Sequence, residues 1–209
     1  MTTTATADSV TYWVGGSPAS LVLAVDSDAV DLAEVSTTTA ALVSPEGVDV
    51  PGITAVLDAV AEVPTITVDF PDNPFMVAGL YSLRLTLTAP TFTEVVEPVT
   101  LVVQAHDGWL TLQGARDMWT QAPASDVTLA MLLESAKAAC VAFAPTMDPV
   151  VPIPANYRQA QFQQARSLWL AMSATTDSQV GEEGFSVTVY PLDWNVKQLL
   201  RPRGIPVMW

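Results

Sequence analysis

The 209-residue chain contains little cysteine, histidine or basic side chain. One cysteine, Cys140, cannot form an internal disulfide, which excludes a small disulfide-held scaffold and fits a reducing compartment. With His106 as its one histidine, the chain offers few ligands for zinc and few partners for a Cys–His catalytic pair. No run approaches the about 18 uninterrupted apolar residues that a membrane span needs. Residues 1–8 have no base and no apolar segment, which predicts no signal peptide.

Positive charge is also scarce. Eight basic residues stand against 22 acidic ones, and the net charge of −14 argues against a protein that wraps nucleic acid. Half of the residues are apolar, 14% are charged, and the mean hydropathy of +0.34 excludes intrinsic disorder. So few charges on so apolar a chain indicate that other subunits cover part of its surface.

The charge is unevenly distributed along the chain. Residues 1–104 contain 13 acids and a single base, Arg84, whereas residues 105–209 contain nine acids and seven bases. Five of the six tryptophans lie in the second half, and Thr, Val and Pro dominate the first. A shift of this kind marks a domain boundary. It predicts two domains, 1–104 and 105–209, that meet near residues 105–108.

The first half has the pattern of β-strands. Apolar and polar residues alternate over 21–25, 65–70 and 81–88, and residues 99–103 form a more fully apolar run. Turn-forming Gly and Pro clusters separate these segments. We therefore expect an immunoglobulin-like β-sandwich of about seven strands. Tyr81, which follows Gly79 and Leu80, is placed as in a tyrosine corner, although an ordinary tyrosine at the start of a strand is the alternative.

The second half has the pattern of helices. Thr111, Ser125 and Asp193 are suitable N-caps for helices over 112–119, 126–143 and 194–200. A further helix over about 155–173 carries two flanking stripes, which indicates contact with more than one neighbour. The first stripe is Tyr157, Gln161, Gln164 and Leu168, and the second is Phe162, Ala165, Trp169 and Met172. A polar loop (175–184) and a short strand (185–190) precede the last helix. The fold class predicted is α+β multidomain: a β-sandwich, then a small helical bundle with a short strand and loop and an extended C-terminal tail.

Catalytic motifs are missing from the sequence. There is no Gly-x-Ser-x-Gly, no Walker A motif and no Gly-x-Gly-x-x-Gly. The position of His106 beside Asp107 indicates a hydrogen-bonding linker rather than a catalytic base. Cys140 lies on an apolar helix stripe, where a buried, inert thiol is expected. These observations predict no enzyme and no cofactor.

Two groups of acids remain as alternatives. Asp26, Asp28 and Asp31 could bind calcium through their oxygens, but an EF-hand loop does not match, so we expect a solvent-exposed strand end. Glu182 and Glu183 are adjacent on a loop and cannot face each other across a sugar.

Several segments of residues 109–209 together resemble a known family. They are Ala-Arg-Asp-Met-Trp at 115–119, Leu-Leu-Glu-Ser-Ala-Lys at 132–137, Pro-Ala-Asn-Tyr-Arg-Gln-Ala-Gln at 154–161, Ala-Arg-Ser-Leu-Trp at 165–169 and Trp-Asn-Val-Lys-Gln-Leu-Leu-Arg-Pro at 194–202. In this order they resemble the head-to-tail adaptor (head–tail connector) proteins of long-tailed bacteriophages, especially those that infect actinobacteria. The resemblance covers about half of the chain. The acidic β-rich half is a departure from the minimal adaptor.

The resemblance implies a structural virion protein of the neck, assembled in the host cytoplasm. It implies a dodecameric ring beneath the portal protein, through whose lumen DNA passes without specific binding, and no membrane contact. The lower face of the ring would meet the next neck component, a stopper or tail terminator. The immunoglobulin-like half would then be an outward decoration. The alternative for that half is a binding module that attaches the virion to host surface glycans.

The last nine residues contain two prolines and a glycine, which excludes a helix there, and four of the last five are apolar. Such a segment suits insertion into the groove of a partner, with aromatic and aliphatic anchors. We expect contacts with the portal or with neighbouring copies of the ring, and the alternative is a tail folded back on its own domain. The candidate contact residues are Arg201, Arg203, Ile205, Val207, Met208 and Trp209.

Overall fold

The computed structural model describes residues 3–6, 11–27, 30–145, 152–176 and 192–201. The chain has a mixed α+β fold with two compact units, Met1–His106 and Asp107–Trp209. Their division lies inside the 105–108 region where the composition changes.

The first unit is built from two β-sheets. One has the strand order β1-β3-β7-β6; the other has the order β2-β10-β8-β4-β5, with β9 paired to β8. Neighbouring strands are antiparallel except β2 and β10, which are parallel. The strands are β1 Thr3–Thr6, β2 Thr11–Trp13, β3 Ser20–Ser27, β4 Thr37–Val43, β5 Asp49–Val50, β6 Thr54–Asp58, β7 Thr65–Asp69, β8 Gly79–Thr88, β9 Thr93–Val95 and β10 Val99–Gln104.

The described part of the first unit contains ten strand segments, so the expected number of about seven was wrong. The difference comes from β2, β5 and β9, which are two or three residues long and therefore too short to show an alternating pattern.

The two sheets share one hydrophobic core. Leu23 of β3 lies opposite Ile66 of β7, and Leu42 of β4 lies opposite Leu83 of β8, all of them buried. The alternation predicted for 21–25, 65–70 and 81–88 is confirmed by strands whose inward residues are the buried ones. Apolar side chains on one face of each strand therefore hold the sheets together.

Tyr81 anchors the segment that leads into β8. Its hydroxyl donates a hydrogen bond to the carbonyl oxygen of Val77 at 3.1 Å and accepts one from the Val77 N–H at 3.2 Å. This is the backward contact predicted for a tyrosine corner. Gly79, at φ 139°, lies between them, and a Cβ at this position would approach Cγ of Pro45 to 2.7 Å. A side chain is therefore excluded at this point.

The second unit contains four helices in its described part: α1 Leu112–Met118, α2 Asp126–Phe143, α3 Ala155–Thr176 and α4 Trp194–Leu200. The predicted caps are confirmed, because the side chains of Thr111, Ser125 and Asp193 accept hydrogen bonds from the N–H groups of Gly114, Thr128 and Trp194. Helix α3 continues to residue 176, so the predicted loop at 175–184 begins too early. The predicted strand at 185–190 lies outside the described residues.

Helices α2, α3 and α4 pack against one another. Cys140, Tyr157 and Ala160 share a buried cluster with Val196 and Leu200. Cys140, near the end of α2, lies in this cluster with Tyr157, near the start of α3. Leu133, closer to the start of α2, contacts Gln161, which is further along α3. The two helices are therefore antiparallel.

Candidate functional site: an apolar groove of the helical unit

Of the six predicted contact residues, the structure describes Arg201. It caps the C-terminus of α4 through its N–H, which donates to the carbonyl oxygen of Lys197 at 2.9 Å, and its guanidinium lies 4.7 Å from the centroid of the Phe143 ring. Arg201 is thus held by a cation–π contact with the end of α2. The other five, Arg203, Ile205, Val207, Met208 and Trp209, lie outside the described residues.

A buried glutamine holds the helices in register. The Oε1 atom of Gln161 accepts a hydrogen bond from the N–H of Leu110 at 2.9 Å, and its Nε2 atom donates to the carbonyl oxygen of Leu133 at 3.1 Å. Because the side chain is buried, both bonds replace water completely. The contact fixes α3 against α2 and against the segment before α1.

A second polar contact joins the ends of α3 and α4. The Nδ2 atom of Asn156, in the first turn of α3, donates to the carbonyl oxygen of Leu199 at 2.6 Å. It satisfies a carbonyl at the end of α4 that has no partner within the helix. The bundle is therefore held at two levels by hydrogen bonds from the side chains of Gln161 and Asn156.

A groove opens between the first half of α2 and the last half of α3. It has a volume of about 450 Å³ and is lined by Thr128, Met131, Leu132, Ser135, Leu168, Ala171 and Met172. On each helix the lining residues are three or four positions apart, as expected for one face. None of the described residues that line the groove is charged. Its walls are therefore suited to an apolar protein surface.

Two of the side chains that line the groove are exposed: Met131 is 56% exposed and Met172 is 53% exposed. Leu170 of α3 is 63% exposed and does not line the groove. Trp194, the first residue of α4, is 65% exposed. Long unbranched Met side chains adapt their shape to a partner, and tryptophan is enriched at interface centres.

The sequence pattern identified part of this surface. The stripe formed by Phe162, Ala165, Trp169 and Met172 was expected to contact a second neighbour. Phe162 and Ala165 are buried, Trp169 is half-buried and Met172 is exposed, so the stripe leaves the core toward the end of α3. The sequence pattern did not identify Met131 as part of this surface, because Met131 lies next to the apolar helix stripe that contains Leu129 and Leu132 and is not part of it.

The sequence offered His106, Asp107 and Cys140 as residues to test for catalysis. The Cys140 side chain is buried, as expected for a residue on an apolar helix stripe, and burial raises the pKa of its thiol to about 11. The His106 ring stacks on Trp13 at a centroid distance of 4.0 Å. Asp107 instead pairs with Nζ of Lys137 at 2.5 Å and accepts the N–H of Trp109. Of the His106–Asp107 pair, Asp107 makes hydrogen bonds, and both are within the second unit.

The acidic residues considered for calcium are only partly described. Oδ1 of Asp31 accepts the N–H of Ala33 at 2.9 Å and so caps the short 3-10 turn Leu32–Glu34. Asp28, Glu182 and Glu183 lie outside the described residues. Within the described ranges, no three or more His, Cys, Asp or Glu side chains are grouped so that they could hold a metal ion. None of the helices there is long and apolar enough to cross a membrane.

Comparisons with known proteins give likenesses to solved structures only. No protein-family model and no curated protein matches the chain. The Lin-41 filamin domain is similar at 14% identity over 49% of this chain and 91% of its own, with a TM-score of 0.33. CopC from Methylosinus trichosporium OB3b is similar at 14% identity over 52% and 99%, with a TM-score of 0.35. The BTLA ectodomain is similar at 11% identity over 51% and 100%, with a TM-score of 0.31.

Proposed function

We propose that this protein is a structural virion component, the head-to-tail adaptor of a long-tailed bacteriophage. Copies assemble into a dodecameric ring beneath the portal protein, join the capsid to the next neck component and let DNA pass through the lumen. The observation that carries the proposal is the groove between α2 and α3, whose described lining residues carry no charge and include the exposed side chains of Met131 and Met172. An exposed apolar surface of this kind marks a protein interface.

A ring needs a heterologous contact, in which one face of each copy meets a different face of the next. The groove supplies one such face, and its lack of charge removes the desolvation cost that charged groups would add. Trp194, at the start of α4, supplies an exposed aromatic anchor outside the groove lining. The resemblance of residues 109–209 to adaptor proteins lies in these same helices.

The charges of the helical unit suit a channel that does not hold DNA. Arg116 is paired with Asp126 and Lys137 with Asp107, and Arg201 lies over Phe143. Basic side chains engaged in this way are less available to displace counterions from phosphate. The unit Met1–His106, with an acidic sequence and the Tyr81–Val77 corner, is proposed to be an immunoglobulin-like decoration.

The experiment is to determine the mass of the purified full chain by light scattering, alone and with a portal ring, and to image it by negative-stain electron microscopy. We expect rings with rotational symmetry. Met131→Asp places a charge in the groove and should abolish them, whereas the matched variant Val141→Asp, on an exposed part of α2 outside the groove lining, should not. A single copy at all concentrations, with and without portal, would contradict the proposal.

A further inference from the structure

A second pocket, in the β-rich unit, has no role in the adaptor function proposed above. It has a volume of about 380 Å³ and lies where the turn between β4 and β5 faces the segment before β8. Its apolar lining includes Pro51, Pro71, Pro74, Met76 and Val77. The volume is at the lower end of the about 300–1,000 Å³ typical of ligand sites.

The wall of the pocket is held in place before any ligand arrives. Tyr81, which also lines it, exchanges two hydrogen bonds with the backbone of Val77. The N–H of Asn73 donates to Oγ of Ser17 at 2.9 Å, which holds the tip of the 71–77 segment. Three prolines further restrict the lining. Little conformational entropy is then lost when the pocket is filled.

The rim of the pocket is acidic. Glu46, Asp49 and Asp72 line it and are exposed. Within the described ranges none of them takes part in an ion pair. Arg84, the sole base of residues 1–104, lies on β8 and does not line the pocket. The pocket therefore combines an apolar floor with negative charge that no base of the described residues pairs.

The chain itself contains a segment with the complementary pattern. Residues 202–209 are Pro-Arg-Gly-Ile-Pro-Val-Met-Trp, in which Arg203 is followed by four large apolar residues, Ile205, Val207, Met208 and Trp209. Eight residues of any chain span at most about 26–29 Å, which sets the reach of this segment. An arginine at the acidic rim would place the following aliphatic and aromatic side chains over the apolar floor.

We propose that the pocket formed by Pro51, Pro71, Pro74, Met76 and Val77 binds residues 202–209 of a second copy of this chain. Arg203 pairs with the carboxylates of Glu46, Asp49 and Asp72, and the apolar residues fill the pocket. The choice of a second copy rests on the proposed ring, in which copies are neighbours. The contact would then link each β-rich unit to the C-terminal segment of an adjacent subunit.

The first test measures binding of a peptide. A fluorescein-labelled peptide with the sequence of residues 201–209 is titrated with the chain from which 202–209 have been deleted, and anisotropy reports binding. Combined Glu46→Gln, Asp49→Asn and Asp72→Asn should weaken binding about tenfold. The matched control, Asp58→Asn, Asp69→Asn and Glu94→Gln, removes the same charge from the same unit outside the pocket lining and should change it less than about twofold. No binding, or equal loss in both triple variants, overturns the proposal.

The second test identifies which copy supplies the segment. Full chains with a photoreactive residue in place of Trp209 are mixed with full chains grown in ¹⁵N that lack it, and cross-linked peptides are analysed by mass spectrometry. Cross-links to ¹⁵N-labelled pocket peptides are expected. Cross-links only within one copy, or none to the pocket, overturn the inference. If rings form without the cross-link, this contact is contradicted and the adaptor function is not. If the cross-link forms between copies that make no ring, this contact is supported and the adaptor function is contradicted.

Discussion

Gln161 of α3 donates a hydrogen bond from Nε2 to the carbonyl oxygen of Leu133 in α2, at 3.1 Å and with only 1% of the side chain exposed. The same amide accepts the N–H of Leu110. One side chain therefore satisfies a helix backbone carbonyl and a loop N–H at once. The helical unit that carries the proposed groove depends on this contact for its geometry.

Replacing Gln161 by leucine should destabilise the helical unit by about 2–4 kcal/mol. The substitution keeps the volume but leaves the Leu110 N–H without this acceptor and removes the donor to Leu133. Urea denaturation followed by circular dichroism measures the change. Gln163→Leu, on the same helix at a partly exposed position, is the control and should cost less than about 0.5 kcal/mol. Equal costs for the two variants would show that the amide contributes nothing specific.

Replacing Tyr81 by phenylalanine should destabilise the β-rich unit by about 1–2 kcal/mol, because the N–H and carbonyl of Val77 lose their hydroxyl partner. Thermal unfolding measures the effect. Tyr12→Phe is the comparison: Tyr12 stacks on Phe75 at 4.7 Å through its ring, and phenylalanine keeps that contact. We expect Tyr12→Phe to cost less than Tyr81→Phe; the reverse order would contradict the anchoring role of the tyrosine corner.

Replacing Arg116 by glutamine should loosen the connection between α1 and α2. Its guanidinium donates to the carbonyl oxygens of Pro123 and Ala124 at 3.0 Å each and to Oδ1 of Asp126 at 2.5 Å. The pair is partly exposed, so we expect a loss of only about 1 kcal/mol. Hydrogen exchange of residues 119–125 should accelerate, whereas Arg158→Gln, at an exposed position of α3, should leave those amides unchanged.

The stability of the chain should fall as the pH rises from about 9 to about 11. Burial raises the pKa of the Cys140 thiol to about 11, so the thiol stays protonated in the folded chain while the unfolded chain loses this proton. The unfolded state then binds fewer protons, and the free energy of unfolding decreases with pH. Burial also raises the pKa of Tyr12, which acts in the same direction.

The variant Cys140→Ala isolates the cysteine contribution. Its free energy of unfolding should decline less steeply between pH 9 and 11 than that of the natural chain, whatever its stability at neutral pH. Iodoacetamide provides an independent measurement: the thiol should react slowly in the folded chain at pH 8 and rapidly in denaturant. Fast alkylation of the folded chain would show that Cys140 is accessible.

The exposed groove could be predicted only in part. The two stripes of α3 indicated more than one neighbour, but the pattern did not show that the second stripe leaves the core between Trp169 and Met172. The exposure of Met172 depends on how far along α3 the contact with α2 extends. The packing of the two helices sets that length, and the local sequence of α3 does not. The Gln161 contact was equally invisible, because a glutamine on a helix stripe has the same pattern whether its amide is buried or exposed.

The sequence by itself determined the local features of this protein. The caps at Thr111, Ser125 and Asp193, the alternation along β3, β7 and β8, and the burial of Cys140 depend on interactions within a few residues or on a strict period. Only the tertiary structure decided the parallel pairing of β2 with β10, the groove between α2 and α3, and the pocket that Tyr81 lines. Each joins residues far apart in the chain, and their approach is set by the packing of whole sheets and helices rather than by any local pattern.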